Sequence, residues 1–83
     1  MPLNELAVTE RIAGEREVRR ALEKKNLKKL FIALDSDLAG AGELEEAAKT
    51  AGVEVEKVDS KLKLGRACAI DRPAAVAGLL MHP

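Results

Sequence analysis

Eighty-three residues suffice for one domain with a single modest core, and a lone cysteine, Cys68, excludes an internal disulfide. Fourteen basic residues balance fourteen acidic ones, so no overall field favours nucleic acid or a membrane surface. The longest apolar run, Ala74 to Met81, is too short to span a bilayer, and the start Met1-Pro2-Leu3-Asn4-Glu5 lacks the basic and apolar stretches of a secretion signal. A cytoplasmic protein without membrane contact or cofactor is the expectation, one domain over residues 1–83.

In chain order, Leu3 to Glu10 reads as a short helix and Arg11-Ile12-Ala13 as a brief extended piece. After Gly14, residues Glu15 to Lys25 read as a helix with Val18, Ala21 and Leu22 on its inner face at three- and four-residue spacing. Lys29 to Leu34 is a nearly continuous apolar run, which suits a central strand covered on both faces. Glu43 to Ala51 is predicted as a helix, with Leu44, Ala47, Ala48 and Ala51 inward and Gly52 as its stop. Val53 to Val58 alternates as a strand, and Ser60 caps a short helix that Gly65 ends. Ala67 to Ile70 is expected to be a last short strand, and Pro73 to open a C-terminal helix through Leu80. Such alternation predicts a three-layer α/β/α sandwich around a small mixed sheet of about four strands.

Charge along the chain is uneven. Gly14 to Lys29 holds seven basic and three acidic residues, Asp35 to Glu56 seven acidic and one basic, and Lys57 to Arg72 five basic and two acidic. If folding gathered the two basic stretches at one end, a neutral protein would carry a local positive field. Scattered solvated charge is the competing explanation.

The residues for catalysis are missing, so no enzymatic activity is expected. The sole histidine, His82, sits one residue from the end, where disorder is the expectation, and Cys68 falls in an apolar run as a buried small hydrophobe would. The serines and threonines have no visible general base, and no zinc-ligand spacing exists. Gly40-Ala41-Gly42 between a strand and a helix mimics a dinucleotide-binding turn. Glu45 stands at the third glycine position, however, and Glu43, Glu45 and Glu46 would repel a pyrophosphate. Asp35 and Asp37 could hold a divalent cation, but capping is the commoner role of such loop aspartates. Phe31 is the only aromatic residue and lies in the apolar strand, so RNA binding on exposed rings is excluded.

The stretch from Gly14 to Arg20 is left. Arg16 and Arg20 share a helix face, Glu17 neighbours Arg20, and a glycine before a helix admits another backbone to free N–H groups. Arginine forks and carboxylates suit base edges. By spacing alone, an acidic first turn followed by a solvated basic face explains the same residues.

Four segments carry a family resemblance. They are Gly-x-x-Glu-Val-x-Arg-Ala-Leu from Gly14, Phe-Ile-Ala-x-Asp-x-Asp from Phe31, Val-Asp-Ser-Lys-x-x-Leu-Gly-Arg-Ala-Cys from Val58, and Ala-Ala-Val-Ala-Gly from Ala74. Together they resemble the kink-turn-binding ribosomal-protein family, and most of all its small bacterial YbxF-like members. The resemblance implies a monomeric protein that binds a sharply bent duplex with tandem sheared G·A pairs, in ribosomal RNA or a structured mRNA. By motif position Gly14 and Glu15 would approach the backbone, and Arg16, Glu17 and Arg20 the purine edges. Lys61 and Arg66 would add charge along the backbone, and Asp35 occupies the family's acidic strand-end position. The loop Ile70-Asp71-Arg72-Pro73, before the expected last helix, would pack near the looped-out nucleotides. Glu15 replaces a threonine-like residue, Arg16 an Asn or Lys, and Arg72 a small apolar residue. A protein-interaction module of the same fold that has lost RNA is the rival expectation, motivated by the acidic stretch and by Glu15.

Overall fold

The computed structural model describes residues 11–35, 41–68 and 73–81. Its elements are β1 (Arg11–Ala13), α1 (Glu15–Glu23), β2 (Leu27–Ala33), α2 (Ala41–Thr50), β3 (Glu54–Val58), α3 (Lys61–Ala67) and β4 (Val76–Leu80). The strands form a mixed sheet in the order β1-β4-β2-β3, with β4 antiparallel to both neighbours and β2 parallel to β3. The expected first helix, Leu3 to Glu10, lies outside the described residues.

Two apolar layers make the sandwich. Val18, Ala21, Leu44 and Ala48 pack α1 and α2 onto Leu27, Leu30, Ile32 and Val76 on one face of the sheet. Leu64 and Cys68 pack α3 onto Phe31, Ala33, Val58, Ala77 and Leu79 on the other. Alternate residues of β2 therefore serve opposite layers, which is why that strand reads as an unbroken apolar run. Burial in this layer raises the pKa of the Cys68 thiol, against a smaller opposing pull from the Arg11 cation, consistent with a core residue.

The helix ends follow local rules. Beyond α1, Lys25 takes φ 58; its N–H donates to the Leu22 carbonyl and that of Asn26 to Ala21, the Schellman pattern. Gly52, φ 78, closes α2 in the same way: its N–H donates to the Lys49 carbonyl and that of Val53 to Ala48. Lys29, buried in β2, lies 3.3 and 3.5 Å from the Glu54 and Glu56 carboxylates of β3 and 5.1 Å over the Phe31 ring, partners that offset the cost of burying an ammonium.

Four expectations are corrected. Pro73 to Leu80 does not form a helix: Val76–Leu80 is the strand between β1 and β2. A short apolar run covered on both faces has the same pattern as a buried helix, and Gly78 at its centre disfavours helix. Ala67 belongs to α3 and Cys68 caps its end, so neither begins a strand; Ile70 lies outside the described residues. Gly65 does not stop α3 but is buried within it. Ala47 and Ala51 are exposed, and Leu44 and Ala48 are the buried positions of α2 among the described residues.

Candidate nucleic-acid interface

Chain segments far apart in sequence meet at one end of the sheet. The Gly14 N–H donates to the Val76 carbonyl at 3.0 Å, so α1 starts beside the start of β4. At the end of β2, Ala33 N–H donates to Ala75 (2.9 Å), and Leu34 N–H to Val58 at the end of β3 (2.7 Å). The Lys61 N–H donates to Asp35 Oδ1 at 2.8 Å, and the Ala74 N–H to the Lys61 carbonyl at 3.0 Å. The starts of α1, α3 and β4 thus share an end with the last residues of β2 and β3.

Gly14 adopts φ 102 and ψ 147, a conformation strained for any residue with a Cβ, and no atom lies within 4 Å of where a Cβ would stand. The site therefore needs glycine for its backbone angle and leaves open space beside it. No side chain caps α1, and Glu15 and Glu17 in its first turn complement the helix dipole. Glu15 Oε2 is held by Arg19, with Nε at 2.9 Å and Nη2 at 2.8 Å. That pair neutralises the carboxylate nearest the helix start and engages Arg19 along α1. Arg16, Glu17 and Arg20 are exposed and make no ion pair among the described residues.

The other expected site residues are placed differently. Asp35 is a structural acceptor: with Ser60 Oγ, which accepts from Lys63 N–H at 3.1 Å, it satisfies the first amides of α3. This is the capping role favoured for loop aspartates, and it positions Lys61 at the site end. Arg66 is exposed in the last turn of α3, across the sheet from α1, so it does not join Arg16 and Arg20. Ile70, Asp71 and Arg72 lie outside the described residues, and the next described element after them is a strand rather than a helix. Replacing either Asp35 or Ser60 with alanine is expected to lower stability by about 0.5–2 kcal/mol, read as a lower urea midpoint with an unchanged slope.

Arg11 escaped the sequence reading. Its Nε donates to the Cys68 carbonyl at 2.9 Å, fastening β1 to the C-terminal end of α3, where a cation is favoured. The partners are 57 residues apart, so no local pattern announces them.

The sequence pattern of the ribosomal protein L7Ae/L30e/S12e/Gadd45 family matches residues 5–81. The RNA-binding protein YbxF of Geobacillus stearothermophilus is 38% identical over 69 residues, covering 83% of this chain and 84% of that protein. An RNA-binding protein of Bacillus pumilus is 33% identical over 70 residues, covering 84% and 85%. Among solved structures, the Giardia lamblia 15.5kD RNA binding protein superposes with a TM-score of 0.84 at 26% identity, over 96% of this chain and 68% of that one. The sequence match over most of the chain and the superposition agree, and the chain belongs to the ribosomal protein L7Ae/L30e/S12e/Gadd45 family.

Proposed function

We propose that this protein binds structured RNA, and that its target is a kink-turn whose sheared G·A pairs meet the start of α1. The supporting observation is that Arg16, Glu17 and Arg20 project from a helix start whose preceding residue, Gly14, has open space beside it. Donor forks and a carboxylate acceptor on one face are what purine edges require. An undistorted A-form major groove is too narrow for these side chains, so a kinked duplex is the partner they suit. RNA binding by the relatives named above supports the same class.

Part of the acidic stretch that favoured an interaction module, and Glu15, have partners within the domain. Glu54 and Glu56 pair with Lys29, and Glu45 lies 2.9 Å from Lys49 and 3.5 Å from Lys57. The Lys49 hydrogen bond holds the Glu45 carboxyl below its ordinary pKa. Glu15, the other motive, is paired with Arg19.

The test is a gel shift with a simple kink-turn against the same RNA with its G·A pairs made Watson–Crick. A preference of about tenfold or more for the kinked RNA is expected, since each lost base-edge pair is worth roughly 1–3 kcal/mol. Equal affinities would refute base readout by α1.

A further inference from the structure

Arg66 lies across the sheet from the α1 start, and the kink-turn reading gives it nothing to do. We infer that Arg66 and Arg11 form a second RNA contact on the α3 side of the sheet, which holds the phosphate backbone of a duplex segment other than the one at α1. The inference rests on the RNA-binding reading above.

The fold brings the two arginines to one place. Arg11 opens β1, three residues before Gly14, so it stands about 10 Å along the strand from the α1 start. Ile12 packs with the α1 layer and Ala13 with the α3 layer, so alternation puts Arg11 on the α3 side with Ala13. Its Nε donates to the Cys68 carbonyl, which turns the guanidinium toward the end of α3 and leaves both Nη groups for another partner. Arg66 is exposed in the last turn of α3, two residues before Cys68. Both cations therefore stand at the C-terminal end of α3, where the helix dipole favours positive charge. Neither has a carboxylate partner among the described residues.

Guanidinium forks match phosphate oxygens and read no base when they bind them. The sheet and its two apolar layers separate α3 from α1, so a phosphate met here belongs to a different segment from the one read at the α1 start. Two arginines bind a free duplex weakly. On an RNA already held at α1, a second segment is present at an effective concentration in the millimolar range, and a weak contact then counts. Lys63 provides an internal control. It is exposed one turn before Arg66 on the same helix, but its ammonium lies 3.2 Å from Asp59 Oδ2. A general attraction of RNA to α3 would draw on both residues, and a site at the helix end would draw on Arg66 alone.

The protein is to be saturated with kink-turn RNA, and its affinity for a labelled plain duplex measured across salt concentrations, for the wild type, Arg66→Gln and Lys63→Gln. The loaded wild type is expected to bind the duplex. Arg66→Gln should weaken that step about threefold or more and lower the slope of log affinity against log salt by about 0.7–0.9. Its affinity for the kink-turn should be unchanged, and Lys63→Gln should leave both steps as they are. No duplex binding by the loaded wild type at low salt, or equal losses in the two variants, would overturn the second contact while leaving the kink preference intact. A loss of kink-turn affinity in Arg66→Gln would overturn it too, by placing Arg66 in the first site. Stronger binding of polyglutamate than of duplex at equal charge would assign the pair to an acidic protein and overturn the RNA contact. If the wild type shows no kink preference, base readout fails separately, and an Arg66-specific slope change in duplex binding by the free protein would still support the second contact.

Discussion

Arg20→Ala is expected to weaken binding to a kink-turn RNA by about tenfold to a hundredfold, whereas Arg19→Ala should change it little. Both arginines lie on α1 and carry the same charge, so a purely electrostatic interface would respond equally to each. Geometry separates them. The guanidinium of Arg19 is folded back on Glu15 at 2.8 Å, while Arg20 is exposed and lines the groove beside Glu17 without an ion pair among the described residues. Removing Arg20 takes away a bidentate donor and leaves any base acceptor it meets unpaired, which costs more than a distant charge. Removing Arg19 frees the Glu15 carboxylate near the RNA backbone, a small repulsion that salt screens. Equal modest losses for the two variants would point to nonspecific charge and remove the readout proposal.

The second large effect concerns stability. Gly78 lies at the middle of β4, opposite Ile12 of β1 and Leu30 of β2. A Cβ there would stand 2.6 Å from Leu27 Cδ1, 3.3 Å from the Lys29 carbonyl oxygen and 3.7 Å from Ile12 Cγ1. Leu27 is itself in the core, and β4 is paired on both sides, so neither neighbour has free space to retreat into. Gly78→Ala is expected to destabilise by about 1–3 kcal/mol, and Gly78→Val by more. A small domain with a few kcal/mol in total would be largely unfolded by the valine. Urea or thermal unfolding would measure both changes. Gly42→Ala supplies the contrast: Gly42 is in α2, exposed, with nothing within 4 Å of an added Cβ. Alanine there should stabilise by about 0.5–1 kcal/mol. An unchanged midpoint in Gly78→Ala would contradict the packing of β4 described above.

Much of this protein is legible locally. The spacing of Val18 and Ala21, the apolar run through Phe31 and Ile32, the Ser60 cap and the Gly52 stop each depend on residues within a few positions. Such signals act through the helix and strand periods and through backbone conformation, both readable from near neighbours. The family motifs add Gly14, Arg16, Glu17 and Arg20 as one site on one helix, and these do share the α1 start.

What the local signals could not decide was anything set by pairing across the sheet. Residues 76 to 80 have too little polarity to show a period, and only their position between β1 and β2 makes them a strand. Ala47 and Ala51 fit the inner face by spacing, yet both are exposed, and Leu44 and Ala48 are the buried positions of α2 among the described residues. The pairing of Glu15 with Arg19 was available from their four-residue spacing. The Asp35–Lys61 hydrogen bond, 26 residues apart, and the Arg11–Cys68 bond, 57 apart, were not. Sequence by itself determined α1, β2, α2 and β3 and the residue types at the α1 start, because those follow from short-range sterics and the helix and strand periods. The tertiary structure alone decided which strand fills the sheet and which distant partners Asp35 and Arg11 find, because burial and long-range hydrogen bonds select among locally equivalent choices.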